Sequence, residues 1–203
     1  MAYAYLDTGA MYRAATWLAL DTGVDPAERA LIAKLIDEAE FGVSTDPKAP
    51  AFTVNGVDVT AAIREPRISA AVSKIATNLQ VRKLMISRQR AIIDAARPGI
   101  VAEGRDITTV VAPDAQVRVL LLADAAARVA RRQSELGDQV KVADVQDQVI
   151  RRDRDDATVA QFEAAAPGVA VIDSTELSLD QVIDRICALI AIAGVQVPAA
   201  GGQ

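Results

Sequence analysis

Several short clusters in this 203-residue chain combine arginine with carboxylate or hydroxyl side chains, the residue types that hold phosphate groups. The first is Asp7-Thr8-Gly9-Ala10-Met11-Tyr12-Arg13, where a strand-like run gives way to a helical one. Free N–H groups and the positive dipole end at a helix start attract anions, and Arg13, one turn in, can reach the same anion. The segment also suits an ordinary Asp or Thr N-cap followed by a surface arginine. The second cluster, Glu103-Gly104-Arg105-Asp106, follows the aliphatic run Gly99 to Ala102. Ligands of open α/β sheets bind at the carboxyl ends of strands, although a solvated loop is the plainer reading. The third, Arg151-Arg152-Asp153-Arg154-Asp155-Asp156, reads on composition as a salt-bridged helix face. Arg128, Arg131 and Arg132 form a basic group that suits a mobile phosphate-binding lid or an exposed helix surface. Ser73, Arg82 and Arg90, on the middle helices, say little by themselves.

The composition narrows the chemistry. The chain has no histidine and one cysteine, Cys187. A Ser-His-Asp or Cys-His dyad is therefore impossible, and a zinc site or an internal disulfide is not expected. What remains is chemistry by carboxylates and arginines, with a bound metal where one is needed. The net charge of −5 disfavours a general nucleic-acid binder. No apolar run reaches the roughly 20 residues of a membrane span, and MAYAYLDTG has no signal-peptide pattern. A cytosolic protein is expected. Half of the chain is hydrophobic but only 3% is aromatic, so the core must be built from small aliphatic side chains.

The elements that would position these residues can be read from periodicity. Residues 2–6 suit a short strand, and Met11, Ala14, Ala15 and Leu18 give the apolar stripe of a helix from Ala10 to Asp21. Pro26 is placed to open a second helix at its first position, running to about Ala39. Short strands follow at 41–45, 51–54 and 57–59, the last two joined by Asn55-Gly56, a strong hairpin signal. Helical pattern resumes from about Ile68 to Ala96, with a break near Thr77-Asn78. The runs Gly99–Ala102, Val117–Leu122 and Val169–Ile172 read as buried strands separated by helices, which argues for a parallel sheet. Ser178 and Gln181 form the capping box of a final helix, in which Cys187 reads as core. Trp17 reads as packing, and the tail 193–203 as disordered.

Taken in order and at their spacing, five stretches resemble the bacterial cytidylate kinases. They are YLDTGAMYRAA (5–15), FTVNGVDVTAAIREPRISAAVSKIA (52–76), VRKLMISRQRAI (81–92), VAEGRDITTVVAPDAQVRVLLLADAAARVARR (101–132) and VIRRDRDDAT (149–158). The resemblance spans about Tyr5 to Leu189. It implies an α/β fold, the three-layer P-loop nucleoside monophosphate kinase sandwich with a parallel sheet. The core would start at 1–38 and a CMP-binding insert with a β hairpin would occupy 39–97. The core would resume at 98–192, with a lid at about 128–160. The implied reaction is transfer of a phosphoryl group from ATP, with Mg²⁺, to CMP or dCMP. By the same resemblance Thr8, Arg13 and Arg105 contact the acceptor phosphate. Ser73, Arg82 and Asp106 read the cytosine, while Arg152 and Asp156 lie on the sugar side. Arg131 closes over the transferring group, with Arg128 beside it, and a monomer is expected.

Two departures from the family pattern stand out. Where many members carry an arginine after the Asp-Asp run, this chain has Ala157-Thr158-Val159. The family's GxxxxGK[ST] loop occurs nowhere in the chain, and neither does the strand that precedes it. These absences predict impaired kinase activity, a sheet without its first, central strand, and a sequence shortened from a longer one. Two other readings follow from the residues: a non-catalytic CMP-binding relic, and, more remotely, an aspartic protease from Leu-Asp-Thr-Gly-Ala at 6–10. The protease reading needs a β-rich setting, which the helical pattern after Gly9 opposes.

Overall fold

The computed structural model describes residues 3–136, 154, 158 and 164–195. The chain divides into two compact units, split between Ile107 and Thr108.

The first unit is organised around one helix. Strand β1 (Ala4–Asp7) leads directly into α1 (Thr8–Asp21). The expected stripe of Met11, Ala14, Ala15 and Leu18 is buried, but so are Ala10, Tyr12, Thr16 and Ala19. A helix buried on nearly every side needs small residues to let its neighbours approach, and the alanines supply them. It packs against α3 (Pro66–Ala76), α2 (Arg29–Glu38), α4 (Leu79–Ala95), β3 (Phe52–Val54) and β5 (Ile100–Glu103).

Strands β1 and β5 pair in parallel, Ala4 opposite Ile100 through Asp7 opposite Glu103. Both strands therefore finish at the same level, and the residues after them emerge side by side. Strand β2 (Phe41–Val43), β3 and β4 (Val57–Asp58) form a separate antiparallel sheet, all of it within the first unit. Its hairpin turns on Asn55 and Gly56, with φ of 50° and 79°, the two left-handed residues that a type I′ turn requires.

Two polar clamps hold α2 and α4 alongside each other. Asn78, almost fully buried, caps α4 by accepting from Gln80 N at 3.1 Å and donates to Arg29 O at 2.8 Å. Ten residues on, Arg88 donates to Ile36 O, Asp37 O and Ala39 O at 2.9–3.2 Å, and its guanidinium lies 4.8 Å from the Phe41 ring centre. One clamp grips the start of α2 and the other its end, so the helices run parallel. The break expected near Thr77-Asn78 is present, because Asn78 starts a new helix there.

Pro26 does not open α2. Asp25 accepts from Ala27 N at 2.9 Å and its carbonyl accepts from Glu28 N at 2.9 Å. That turn holds Pro26 at its second position, and the helix starts at Arg29.

The second unit contains β6 (Val119–Leu122) paired in parallel with β7 (Ala170–Asp173). It also holds α5 (Ala125–Leu136) and α6 (Leu179–Ile192). The Ser178–Gln181 capping box is formed as expected. The aliphatic side chains here are less covered: Leu121 and Val171 are about half exposed at 52% and 53%. Cys187 is half-buried rather than enclosed. The parallel strands thus fall into two separate pairs among the described residues, β1 with β5 and β6 with β7.

Replacing Gly56 by alanine adds a Cβ that meets nothing within 4 Å, so only the strained backbone registers the change. The variant should lose about 1 kcal/mol in chemical denaturation without any change in fold.

Candidate functional site

The common ending of β1 and β5 creates the site in the first unit. Asp7 caps α1, accepting from Ala10 N at 2.7 Å. Its other oxygen takes the Arg64 guanidinium at 3.1 Å. The Asp-Thr-Gly-Ala run thus lies at a strand-to-helix junction, with its carboxylate engaged in capping. Thr8, buried, donates to Glu103 O at 2.7 Å and ties the helix start to the end of β5. This contact leaves no room for a side chain at residue 104. A Cβ on Gly104 would collide with Thr8 Oγ1 and come within 3.0 Å of Ile107 Cδ1.

Arg13 is buried, which is unusual for an arginine. Its NH1 donates to Ser69 Oγ at 2.8 Å and to Ile63 O at 3.4 Å. Periodicity placed Arg13 on a helix; it carried no sign of a partner more than fifty residues on.

Arg82, on α4, forms an ion pair with Asp106, and both side chains are almost fully buried, at 12% and 8% exposure. Arg82 also donates to Ala76 O at 3.4 Å. Burying two charges is tolerable only when they are paired and hydrogen-bonded, as these are. Ser73 is half-buried on α3, and Arg105 is half-buried beside Asp106.

The structure therefore gathers Thr8, Arg13, Arg105 and Asp106 at or near the strand ends, with Arg82 paired to Asp106. Arg64 is a member that sequence reasoning missed. Its position in Ile63-Arg64-Glu65-Pro66 carried no local signal, and only the fold reveals its contact with Asp7.

Arg131 and Arg128 lie on α5 in the second unit. Arg131 donates to Ser174 Oγ at 3.0 Å, to Ser174 O, and to Leu177 O at 3.4 Å, so it grips the segment after β7. Ser174 is itself buried and bonded to Leu122 O at 2.8 Å. Arg152, Asp156 and Val159 lie outside the described residues. Among the described residues no group of three or more Cys, Asp or Glu side chains could hold a metal ion, and no helix is long and apolar enough to cross a membrane.

One titrating group at the strand ends is displaced from its ordinary range. Burial, and then the charges of Glu103 and Asp7, push the Tyr5 phenol up to about 12. Its hydroxyl donates to Glu103 Oε1 at 3.3 Å.

Two outcomes are expected. Gly104→Ala should destabilise the protein by ~1–3 kcal/mol in denaturant titration, because the added methyl displaces Thr8 or Ile107. The folded protein keeps the Tyr5 proton to about pH 12, whereas the unfolded chain loses it near 10. The stability contributed by neutral Tyr5 is thus complete below pH ~10 and is lost as pH rises toward ~12. Ultraviolet titration should show a late-ionising tyrosine component that Tyr5→Phe diminishes.

A family model described as cytidylate kinase matches residues 1–192. A cytidylate kinase of Cutibacterium acnes is 50% identical over 190 residues, covering 93% of this chain and 85% of that protein. One of Streptomyces avermitilis is 40% identical over 190 residues, covering 92% and 80%. A bifunctional pantoate ligase/cytidylate kinase of Synechococcus elongatus is 39% identical over 201 residues, covering 94% of this chain and 38% of that protein. With 192 residues matched by the family model and half of the 190 aligned residues shared with one relative, the chain belongs to the cytidylate kinase family, enzymes that phosphorylate CMP and dCMP.

Proposed function

We propose that the first unit holds the acceptor nucleotide, with its phosphate at the ends of β1 and β5 and its base against α3 and α4. The observation that carries this reading is the buried Arg82–Asp106 ion pair. An ionised carboxylate has about four acceptor sites, so Asp106 can hold Arg82 and still accept from an amino group. Cytosine presents an N4 amino donor beside N3 and O2 acceptors. Asp106 takes the amino hydrogens, while Arg82 and the Ser73 hydroxyl serve the acceptors. Thr8, Arg13 and Arg105 hold the phosphate. Arg152 and Asp156, outside the described residues, are assigned to the sugar by resemblance alone.

The reaction is transfer of the γ-phosphoryl group of MgATP. An acceptor phosphate oxygen attacks the γ phosphorus while the bond to the β,γ-bridging oxygen breaks, giving ADP and CDP. The acceptor phosphate is already largely ionised near neutrality, so no histidine base is needed. Charge spread over the transferring oxygens is met by arginine, and catalysis is mainly positioning and electrostatic stabilisation. Arg13 and Arg105 act from the acceptor side, and Arg131 with Arg128 is assigned to the donor side. Mg²⁺ carried on the phosphates of ATP would neutralise part of their charge.

Calorimetry with CMP and UMP, and a coupled assay with MgATP, test the reading. Wild-type protein should prefer CMP. Asp106→Asn, whose amide can donate to the uracil O4, should cut the CMP-to-UMP affinity ratio by about tenfold or more. Equal binding of CMP and UMP by the wild type would refute the base assignment.

A further inference from the structure

We infer that Ser69 is a positioning residue for the phosphate-binding arginine, and that α3 thereby couples recognition of the base to orientation of the phosphate. The inference rests on the proposed role of Arg13. Arg13 NH1 is held between Ser69 Oγ at 2.8 Å and Ile63 O at 3.4 Å.

A guanidinium is a rigid planar fork, so fixing one nitrogen fixes the directions of all its N–H bonds. Arg13 rises from α1, where its stem is enclosed among buried neighbours. Its head would still be able to rotate about the last bonds of the stem. The two acceptors remove that freedom. Ile63 O comes from the short 3₁₀ turn before α3 and Ser69 Oγ from the first turns of α3 itself. Backbone alone supplies the weaker, longer contact. The hydroxyl supplies the closer one.

Ser69 and Ser73 stand four residues apart on α3, so their side chains share one face of that helix. Ser73 is the residue assigned to the cytosine. One rigid element thus carries both the hydroxyl that meets the base and the hydroxyl that aims the phosphate arginine. Four residues of helix rise about 6 Å, which fixes the spacing of the two contacts. A shift of α3 on closing over the base would move both together.

Ser69 touches Arg13 and has no assigned contact with the nucleotide. Its loss should therefore be felt only through the phosphate. The experiment compares CMP with cytidine, which lacks the phosphate, by calorimetry on the full chain. Ser69→Ala should weaken CMP by about tenfold, the effect of one hydrogen bond to a charged group, and leave cytidine unchanged. Ser69→Thr, which keeps the hydroxyl, should restore CMP binding to within about threefold of wild type. Ser69→Cys, close in size but a poor acceptor, should behave like Ser69→Ala, and circular dichroism should show every variant folded at the assay temperature. Unchanged CMP affinity in Ser69→Ala would overturn the inference. So would equal loss of CMP and cytidine, the signature of a merely structural role. Failure of the underlying reading shows separately: Arg13→Ala that binds CMP as tightly as wild type would remove the phosphate role of Arg13, and this inference with it.

Discussion

The hydrogen bond from Thr8 Oγ1 to Glu103 O, 2.7 Å long, is the contact on which the site depends. It joins the first residue of α1 to the last residue of β5. Parallel pairing brings those residues level, but pairing alone leaves the chain free to diverge once the strands end. The threonine fastens it there. The origin of α1, and hence the place of Arg13 one turn later, is then set relative to the loop that carries Arg105 and Asp106. Gly104 follows from the same contact, since only a residue without a Cβ fits beside the hydroxyl.

The helices complete what the strand ends begin. The Arg82–Asp106 pair ties α4 to the loop after β5, and Arg13 with Ser69 and Ile63 ties α1 to α3 and the turn before it. In each case a charged group is buried and a partner from a distant part of the chain offsets its lost hydration. The clamps of Asn78 and Arg88 do the same for the α2–α4 pair with backbone carbonyls as partners. These buried polar contacts help to hold the helices in register around a core of aliphatic side chains.

Much of this was legible in the sequence, and the reason differs from element to element. The hairpin was visible because Asn55-Gly56 is the chemistry of its turn, and the α6 start because Ser178 and Gln181 satisfy local N–H groups. Such signals are short-range and need no knowledge of the rest of the fold. Pro26 misled because its fixed φ suits a turn and a helix start alike, and the Asp25 side chain decides between them. The near-complete burial of α1 was hidden because alanine is compatible with either surface or core. The candidate residues were found through ordered resemblance, yet the partnership of Arg13 with Ser69, and the contact of Arg64 with Asp7, join positions over fifty residues apart. No local pattern encodes such pairs.

The makeup of α1 has a consequence for how this protein can change over generations. Ala10, Ala14, Ala15 and Ala19 are enclosed, so enlargement meets a wall and there is almost nothing left to trim. A lineage exploring new acceptor preferences would find this helix closed to drift. Its freedom lies in the apolar residues that face α1 from α3 and α4, which can be exchanged while the axis they surround stays the same.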